Sequence, residues 1–334
     1  MRAYKCLDEQ IFETAVFKIV PVRFEDRLNI MQWRNEQIYH LRQSKPLTLE
    51  DQDNYFNNVV EKLFDQQQPN QVLFSFLKEG ICVGYGGLVH INWLDKNAEI
   101  SFIMETKFEK DYFDHFWSVY LSLIEQVAFE KLKLHKIFTY AFDIRPHLYP
   151  SLINSGYNKD ASLREHCFFD GDFKNVIIHS KIANSTFLRK ASVNDTLLTF
   201  NWANNKEIRK YSFTKTAIAL EEHSKWFQKK IESHTCYYYI LCKGNQKIGS
   251  IRLDVNTKNE GLISYLIDPI FQGKGYGAII LEKLELIIKE LNLNLKKIKG
   301  QVLHENQASV KIFRKLAYQE FEEEQNLIFE KELK

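Results

Sequence analysis

The chain has 334 residues, of which 45% are hydrophobic and 26% charged, and its formal net charge is +2. This composition is typical of a soluble globular protein, and the length predicts two domains. No segment approaches the roughly 18 uncharged apolar residues of a membrane helix, and the N-terminus lacks the apolar run of a signal peptide. The five cysteines form no C-x-x-C pair, so we expect free thiols, no metal site and a cytoplasmic location.

The two halves of the chain differ in charge. Residues 1–183 contain 21 Lys and Arg against 25 Asp and Glu, whereas residues 184–334 contain 24 against 18. The basic half would attract a polyanionic ligand, although solvated lysine faces around residues 289–299 explain the same excess. No basic run is interleaved with aromatic residues, so nucleic-acid binding is not expected.

The first half of the chain predicts strands and helices in a definite order. One strand is followed by two helices, three strands, a long amphipathic helix, a strand, a short helix and a final pair of strands. The predicted strands cover residues 16–22, 71–77, 81–91, 98–104, 136–142, 163–169 and 174–182, and the helices cover 24–35, a segment after 49, 112–134 and 146–155.

The same order of elements then starts again, which indicates an internal repeat. Trp33 and Trp202 take equivalent places in the two copies, 169 residues apart. The sequence therefore predicts two tandem domains of one α/β fold, over residues 1–182 and 184–334. In each domain we expect a mixed, mostly antiparallel sheet flanked by helices.

One stretch of the second half carries a recognisable binding motif. A strand pattern ending at Ile267 runs through Asp268-Pro269 into Gln272-Gly273-Lys274-Gly275-Tyr276-Gly277-Ala278, and a helix follows. Glycines let the backbone approach a ligand closely, and a helix start offers unpaired N–H groups and the positive end of the dipole. Such a turn predicts the binding of a pyrophosphate.

Two known sequence patterns match residues 272–278. Gly273, Gly275 and Ala278 satisfy the dinucleotide pattern G-x-G-x-x-G/A, which is weak alone, and a Rossmann fold would place its glycines at the very end of the first strand. Gln272, Gly275 and Gly277 satisfy the other pattern, Gln-x-x-Gly-x-Gly. A second motif follows a further strand, namely Asn306-Gln307-Ala308-Ser309 and then Ile312 to Tyr318.

Together the two motifs resemble those of the GCN5-related N-acetyltransferase (GNAT) superfamily, whose Gln-x-x-Gly-x-Gly loop binds the pyrophosphate of coenzyme A. The resemblance implies acetyl-CoA as the cofactor and a backbone N–H of the preceding strand that polarises the thioester carbonyl. Direct attack by an amine needs no covalent intermediate, so no nucleophile is expected. The cofactor-binding residues that the resemblance implies are Leu266, Ile267, Gln272, Gly273, Lys274, Gly275, Tyr276, Gly277, Ala278, Asn306, Ser309 and Phe313.

The resemblance leaves the proton-transfer groups open. Many family members carry a tyrosine seven residues after the asparagine, where this chain has Phe313. Tyr265, Tyr276 or water would then protonate the leaving thiolate. His304 is a candidate base, because the ordinary pKa of histidine, about 6.5, suits that task. Glu260 is a weaker candidate, and a structural role is the alternative for each of these residues.

The acceptor side resembles the amino-sugar branch of the superfamily. Trp202-Ala203-Asn204, Arg209 and Glu222-His223 carry this resemblance, which implies that Trp202, Asn204, Arg209 and His223 bind the acceptor. The acceptor would be a nucleotide-linked amino deoxysugar used in cell-surface glycan synthesis. The alternatives are a protein or polyamine N-acetyltransferase of the same fold, a non-catalytic CoA-binding module and, remotely, a Rossmann oxidoreductase.

The first domain lacks the glycine-rich loop. At the equivalent place, residues 106–112, it has no glycine and carries Glu109 and Asp111, which would repel phosphate. We therefore expect one acetyl-CoA per chain, bound in the second domain. The first domain resembles acetyltransferases found with surface-sugar genes only loosely, and a structural role is the alternative.

Overall fold

The computed structural model describes residues 2–244 and 246–333. By its internal contacts the chain divides into two compact units at Ala183/Asn184. Across the described residues, no helix combines the length and the apolar character needed to cross a membrane.

The first unit is built around an eight-stranded sheet. Its strands are β1 (Phe12–Glu13), β2 (Phe17–Pro21), β3 (Val72–Lys78), β4 (Ile81–Asn92), β5 (Asn97–Met104), β6 (Lys136–Phe142), β7 (Asn158–Phe169) and β8 (Asp172–Ile182). Its α-helices are α1 (Arg27–Glu36), α2 (Leu49–Tyr55), α3 (Glu61–Leu63), α4 (Thr106–Glu125) and α5 (Leu148–Asn154). The strand order is β1-β2-β3-β4-β5-β6-β8-β7, and only the β5–β6 pair is parallel.

The second unit repeats this plan around seven strands. They are β9 (Thr186–Lys190), β10 (Cys236–Lys243), β11 (Gln246–Val255), β12 (Glu260–Ile267), β13 (Lys297–Leu303), β14 (Gln319–Glu322) and β15 (Asn326–Glu332). The helices are α6 (Thr196–Asn204), α7 (Lys206–Arg209), α8 (Leu220–Glu232), α9 (Tyr276–Glu290) and α10 (Gln307–Lys315). The order is β14-β15-β13-β12-β11-β10-β9, with one parallel pair, β12–β13.

These two mixed, mostly antiparallel sheets flanked by helices confirm the predicted fold class. The short elements β1, β14 and α7 have no clear sequence pattern and were not predicted. The long helix of the first unit begins at Thr106 rather than at the predicted residue 112. The segment that aligns with the glycine-rich loop is therefore the first two turns of α4.

In each sheet the parallel strand pair stays hydrogen-bonded only at one end. β12 pairs with β13 from Glu260 to Ile263, although both strands continue beyond that point. β5 pairs with β6 from Asn97 to Glu99 and then also loses its partner. Unpaired backbone groups consequently face a gap between the two strands of each pair. In the second unit this gap lies at the strand end from which the glycine-rich loop emerges.

A bidentate ion pair fixes the start of the first helix in each unit. Arg189 donates to both carboxylate oxygens of Asp195, at 2.8 and 2.6 Å, and Asp195 is 1% exposed at the N-cap of α6. Arg23 and Asp26 make the same contact before α1, at 2.7 Å for both bonds. Burial acts to raise the pKa of Asp195, but Arg189 and Ser192 lower it overall.

We expect Asp195→Ala to destabilise the second unit by about 3 kcal/mol, because it leaves a largely buried guanidinium without its partner. Hydrogen exchange over β9–β15 in increasing urea would measure the loss. Glu207→Gln, which removes an exposed pair with Lys210, is the matched control and should change stability by no more than about 0.5 kcal/mol. Since the folded-state pKa of Asp195 is lowered, the wild-type pair stabilises above about pH 4 and loses this contribution as the pH falls further.

Candidate functional site

Three side-chain hydrogen bonds shape the glycine-rich loop. The Asp268 carboxylate accepts the Ile270 N–H at 3.0 Å and the Trp202 indole N–H at 2.7 Å. The Gln272 amide donates to the Ile267 carbonyl at 3.0 Å. The loop is thus tied to α6 on one side and to the end of β12 on the other.

The loop presents a row of unpaired backbone donors. Gly273 and Gly275 adopt φ of +74° and +84°, a conformation that favours glycine, and a Cβ at either position would meet nothing within 4 Å. None of the N–H groups of residues 273–277 bonds to another part of the described chain. Five consecutive free N–H groups at the start of the 15-residue helix α9 form a cradle for an anion. We refer to residues 273–277 as the anion cradle.

Helix α10 closes the other side of the cradle. A Cβ on Gly277 would come within 2.5 Å of Ile312 Cδ1, so a larger residue at this position would have to displace the Ile312 side chain. Asn306 caps α10 by accepting the Ser309 N–H at 3.2 Å. Its side-chain amide N–H₂ makes no bond within the described residues and is free to reach a ligand. Tyr265 spans the space between the helices and donates to Ser309 Oγ at 2.9 Å.

The register of β12 decides which of its N–H groups faces the gap. The Asp268 N–H bonds to Ile248 O at 2.9 Å, so by alternation Leu266 also directs its N–H towards β11. The intervening residues direct theirs towards β13, which pairs with β12 only as far as Ile263. The N–H of Ile267 therefore faces the open gap. Of the two donors inferred from the sequence, this geometry favours Ile267.

Two residues assigned to the site by sequence lie elsewhere. Phe313 is 2% exposed and stacks on Phe329 at 5.0 Å, with its ring edge against Gly300, so it is a core residue and cannot contact a cofactor. Glu260 begins β12 at the end where β12 and β13 remain paired, and its carboxylate is 3.1 Å from Lys299. It lies about 23 Å along the strand from Ile267, too far to act as a base there.

Three predicted acceptor contacts are also structural. Trp202 is 4% exposed and has no free face on which a sugar could stack. His223 is 3% exposed and bonds to Thr199 at 3.0 Å, and burial lowers its pKa. The amide of Asn204 accepts the Ile218 N–H at 2.8 Å and donates to the Ile218 carbonyl at 3.0 Å, which ties it to the chain before α8. The sequence pattern could not separate these packing roles from ligand contacts, because both require the same residue types.

A basic segment, residues 206–215, borders the candidate site. Arg209 donates through Nε and Nη2 to the Thr216 carbonyl, at 2.8 and 2.6 Å, which leaves Nη1 without a described partner. Lys215 pairs with Glu305 at 3.2 Å and so ties this segment to the chain just after β13. His304 lies at the same turn, half-buried, with Nε2 3.3 Å from the Glu323 carbonyl. It stays a predicted base.

Asp268 is a structural link to the loop that the sequence analysis did not identify. It connects the buried indole of Trp202 to the first turn after β12 and thereby orients the anion cradle. The Asp-Pro dipeptide could have revealed this role in the sequence. Aspartate often caps the start of a helical turn, and proline is favoured as the first residue of that turn because the N–H that it lacks is not needed there.

The equivalent place in the first unit holds an ion pair instead of a cradle. Helix α4 follows β5 directly, and no residue between 97 and 132 has a positive φ. Glu109 in the first turns of α4 accepts from Arg145, at the approach to α5, with an N–O distance of 2.6 Å. Side chains therefore occupy the place where the second unit offers bare N–H groups.

Comparison with known proteins decides the family. Residues 186–319 match a family described as an acetyltransferase (GNAT) domain, and residues 19–175 match a second family of the same description. The chain belongs to the GNAT acetyltransferases. It carries two GNAT domains in tandem, and the expected enzyme class, N-acetyltransferase, and cofactor, acetyl-CoA, agree with this family.

The individual proteins that resemble this chain share only 15–28% sequence identity with it. An uncharacterised protein of Methanocaldococcus jannaschii is 28% identical over 188 residues, which is 52% of this chain and 37% of that protein. The chain thus matches little more than a third of this relative's length. A solved domain from the same organism is 25% identical, with a TM-score of 0.40 over 45% of this chain and 99% of that one. Spermidine N-acetyltransferase from Vibrio cholerae, in complex with CoA and spermine, is 15% identical, with a TM-score of 0.45 over 51% and 96%.

We expect Gly275→Val to weaken acetyl-CoA binding at least about a hundredfold, because a branched side chain would stand in the cradle and the residue prefers a different φ. Titration calorimetry would measure the affinity. Gly171→Val is the matched control: Gly171 has φ +78° and equally open surroundings, but lies in the β7–β8 turn of the first unit. Similar losses of acetyl-CoA affinity in both variants would rule out a specific role for the cradle.

Proposed function

We propose that the second domain transfers an acetyl group from acetyl-CoA to the amino group of a nucleotide-linked amino sugar. The anion cradle at the mouth of the β12–β13 gap carries this proposal, because it offers five free N–H groups to a pyrophosphate. The gap itself is an elongated slot beside a strand with unpaired polar groups. An extended ligand with amide groups, such as pantetheine, complements such a strand edge.

The residues around the gap define the chemistry. Acetyl-CoA supplies an activated thioester. The N–H of Ile267 faces the gap and would stabilise the negative charge that develops on the thioester oxygen as the amine attacks. Holding the two substrates side by side in the gap provides much of the remaining acceleration. No side-chain nucleophile is needed, because the amine attacks directly.

Tyr265 is our choice as proton donor for the departing thiolate. Burial raises the pKa of its phenol to about 12, while the hydrogen bond to Ser309 lowers it. The hydroxyl is therefore protonated at neutral pH and can act as an acid but not as a base. It lies between α9 and α10, beside Gly277, where the sulfur end of the cofactor would pass.

The charge of the basic segment favours an anionic acceptor. Residues 206–215 contain Lys206, Arg209, Lys210 and Lys215 but a single carboxylate, Glu207, which is already paired with Lys210. A polyamine carries several positive charges and would be repelled there. A sugar linked to a nucleotide diphosphate would be attracted. This charge distribution supports the nucleotide-linked sugar over the polyamine alternative, and synthesis of cell-surface glycans is the process that such a product would serve.

Tyr265→Phe should lower kcat by about a hundredfold while changing the acetyl-CoA dissociation constant by less than about threefold. Stopped-flow assays and calorimetry would separate the two effects. Ser309→Ala is the control, since it removes the acceptor of the phenol's hydrogen bond and keeps the acid. If Ser309→Ala reproduced the full loss of kcat, Tyr265 would only position α10.

The acceptor class is tested by comparing kcat/KM for a UDP-linked 4-amino-4-deoxysugar, the free amino sugar and spermidine. We expect the UDP-linked sugar to be preferred over spermidine at least about a hundredfold. Arg209→Ala should reduce kcat/KM for the UDP-linked sugar about ten- to a hundredfold more than for the free sugar, through loss of a charge-assisted contact. Arg314→Ala, on the far end of α10, is the matched control. Equal losses of kcat/KM for both sugars would show that Arg209 only orders the chain at Thr216 and does not bind the phosphates.

A further inference from the structure

The first domain contains a cleft where β5 and β6 lose their pairing. Its volume is about 260 Å³, and it is bounded by β5, β6, α4 and the segment after α1. This volume lies just below the range of small-molecule sites, about 300–1,000 Å³, and is too small for acetyl-CoA. Arg145, which lines the cleft, is held by Glu109 of α4 at 2.6 Å.

Three buried donors in this cleft lack partners. They are the indole N–H of Trp117, the hydroxyl of Thr139 and the Nε–H of Arg145. Trp117 is 3% exposed and Thr139 is 5% exposed, so neither atom can be satisfied by bulk water. A buried polar group without a partner costs roughly 1–3 kcal/mol, and folded proteins rarely tolerate several in one place. All three atoms belong to residues that line one cleft, from α4, β6 and the chain before α5, which points to a bound molecule rich in acceptor oxygens.

The charge of the cleft is positive. Arg34, Arg42 and Arg145 line it together with a single acidic residue, Glu99, and Arg145 is also paired with Glu109 outside the lining. Glu99 is occupied by Arg42 and His90, at 3.2 and 3.0 Å. Arg34 bonds only to the neutral amide of Gln43, at 3.1 Å, and has no carboxylate within 4 Å in the described part of the chain. An anionic group is the complement that the cleft itself does not provide.

We propose that the cleft of the first domain binds a hydroxylated, monosaccharide-sized molecule that carries one anionic group. Arg34 and the Nε–H of Arg145 pair with the anion, and the Trp117 indole and Thr139 hydroxyl bond to hydroxyl oxygens. The first domain is then a ligand-binding domain rather than a second acetyltransferase. The site is separate from the anion cradle, so its test is independent of the function proposed for the second domain.

The experiment is calorimetry on the full chain with three probes: D-glucuronate, D-glucose 6-phosphate and D-glucose. We expect glucuronate or glucose 6-phosphate to bind one per chain with a dissociation constant of about 1 mM or below, and glucose at least about tenfold more weakly. The stronger of the two acids distinguishes a carboxylate site from a phosphate site. Failure of both acids to bind, or equal binding of glucose, would overturn the proposal.

Substitutions locate the binding. Arg34→Met should lower the affinity for the anionic probe about tenfold or more and leave acetyl-CoA binding unchanged. Arg27→Met, on the same helix but bonded to Asp53 outside the cleft, is the matched control and should leave both unchanged. The Gly275→Val variant should still bind the anionic probe with wild-type affinity. If acetyl-CoA displaced the probe from Gly275→Val, the cleft would be a second acetyl-CoA site and the proposal would be wrong.

Thr139→Val separates ligand binding from a packing defect. The substitution keeps the shape of the side chain and removes an unpaired buried hydroxyl, so the melting temperature of the free protein should rise. The affinity for the anionic probe should fall at the same time, since the hydroxyl is then no longer available. A rise in melting temperature with unchanged probe affinity would show that the Thr139 hydroxyl does not contact the bound molecule.

Discussion

The loss of pairing between β12 and β13 is the constraint on which the candidate active site depends. A continuous parallel ladder would use the N–H of Ile267 for the sheet and leave no room beside the strand. The gap is useful only because the loop that follows is held at its mouth by Asp268, which is bonded to the buried Trp202. A residue on the first helix of the domain thus fixes the cofactor loop, 66 residues later in the chain.

The same scaffold carries different chemistry in its two copies. Both sheets open at their parallel pair, and both domains start their first helix with a bidentate arginine–aspartate contact. Where the second domain exposes bare N–H groups, the first closes the space with Glu109 and Arg145. The first domain has a cleft of about 260 Å³ that is lined by three arginines. On the two proposals above, duplication of the fold would not have duplicated its ligand, because the loop is separable from the strands that create the gap.

Positive side chains lie in different places in the two domains. In the second domain the basic segment borders the candidate site, and the anion cradle offers backbone N–H groups. Lys274, within the cradle, donates from Nζ to the Ile270 carbonyl at 3.0 Å. In the first domain the guanidinium groups of Arg34, Arg42 and Arg145 belong to residues that line the cleft. Side-chain arginines bind a compact anion well, but they occupy the volume that an extended nucleotide would need.

The sequence by itself determined the repeat, the fold class and the conformation of the glycine-rich loop. Glycine periodicity and strand–turn–helix order are local properties, and Gly273 and Gly275 do adopt the positive φ that only glycine adopts readily. Only the tertiary structure decided which neighbouring polar and aromatic residues are free. Trp202, His223 and Phe313 match a binding motif in sequence, yet they are buried by contacts with residues distant in the chain. Burial is a property of the whole packed domain, and so the cleft around Trp117 and Thr139 could not be foreseen from residue order.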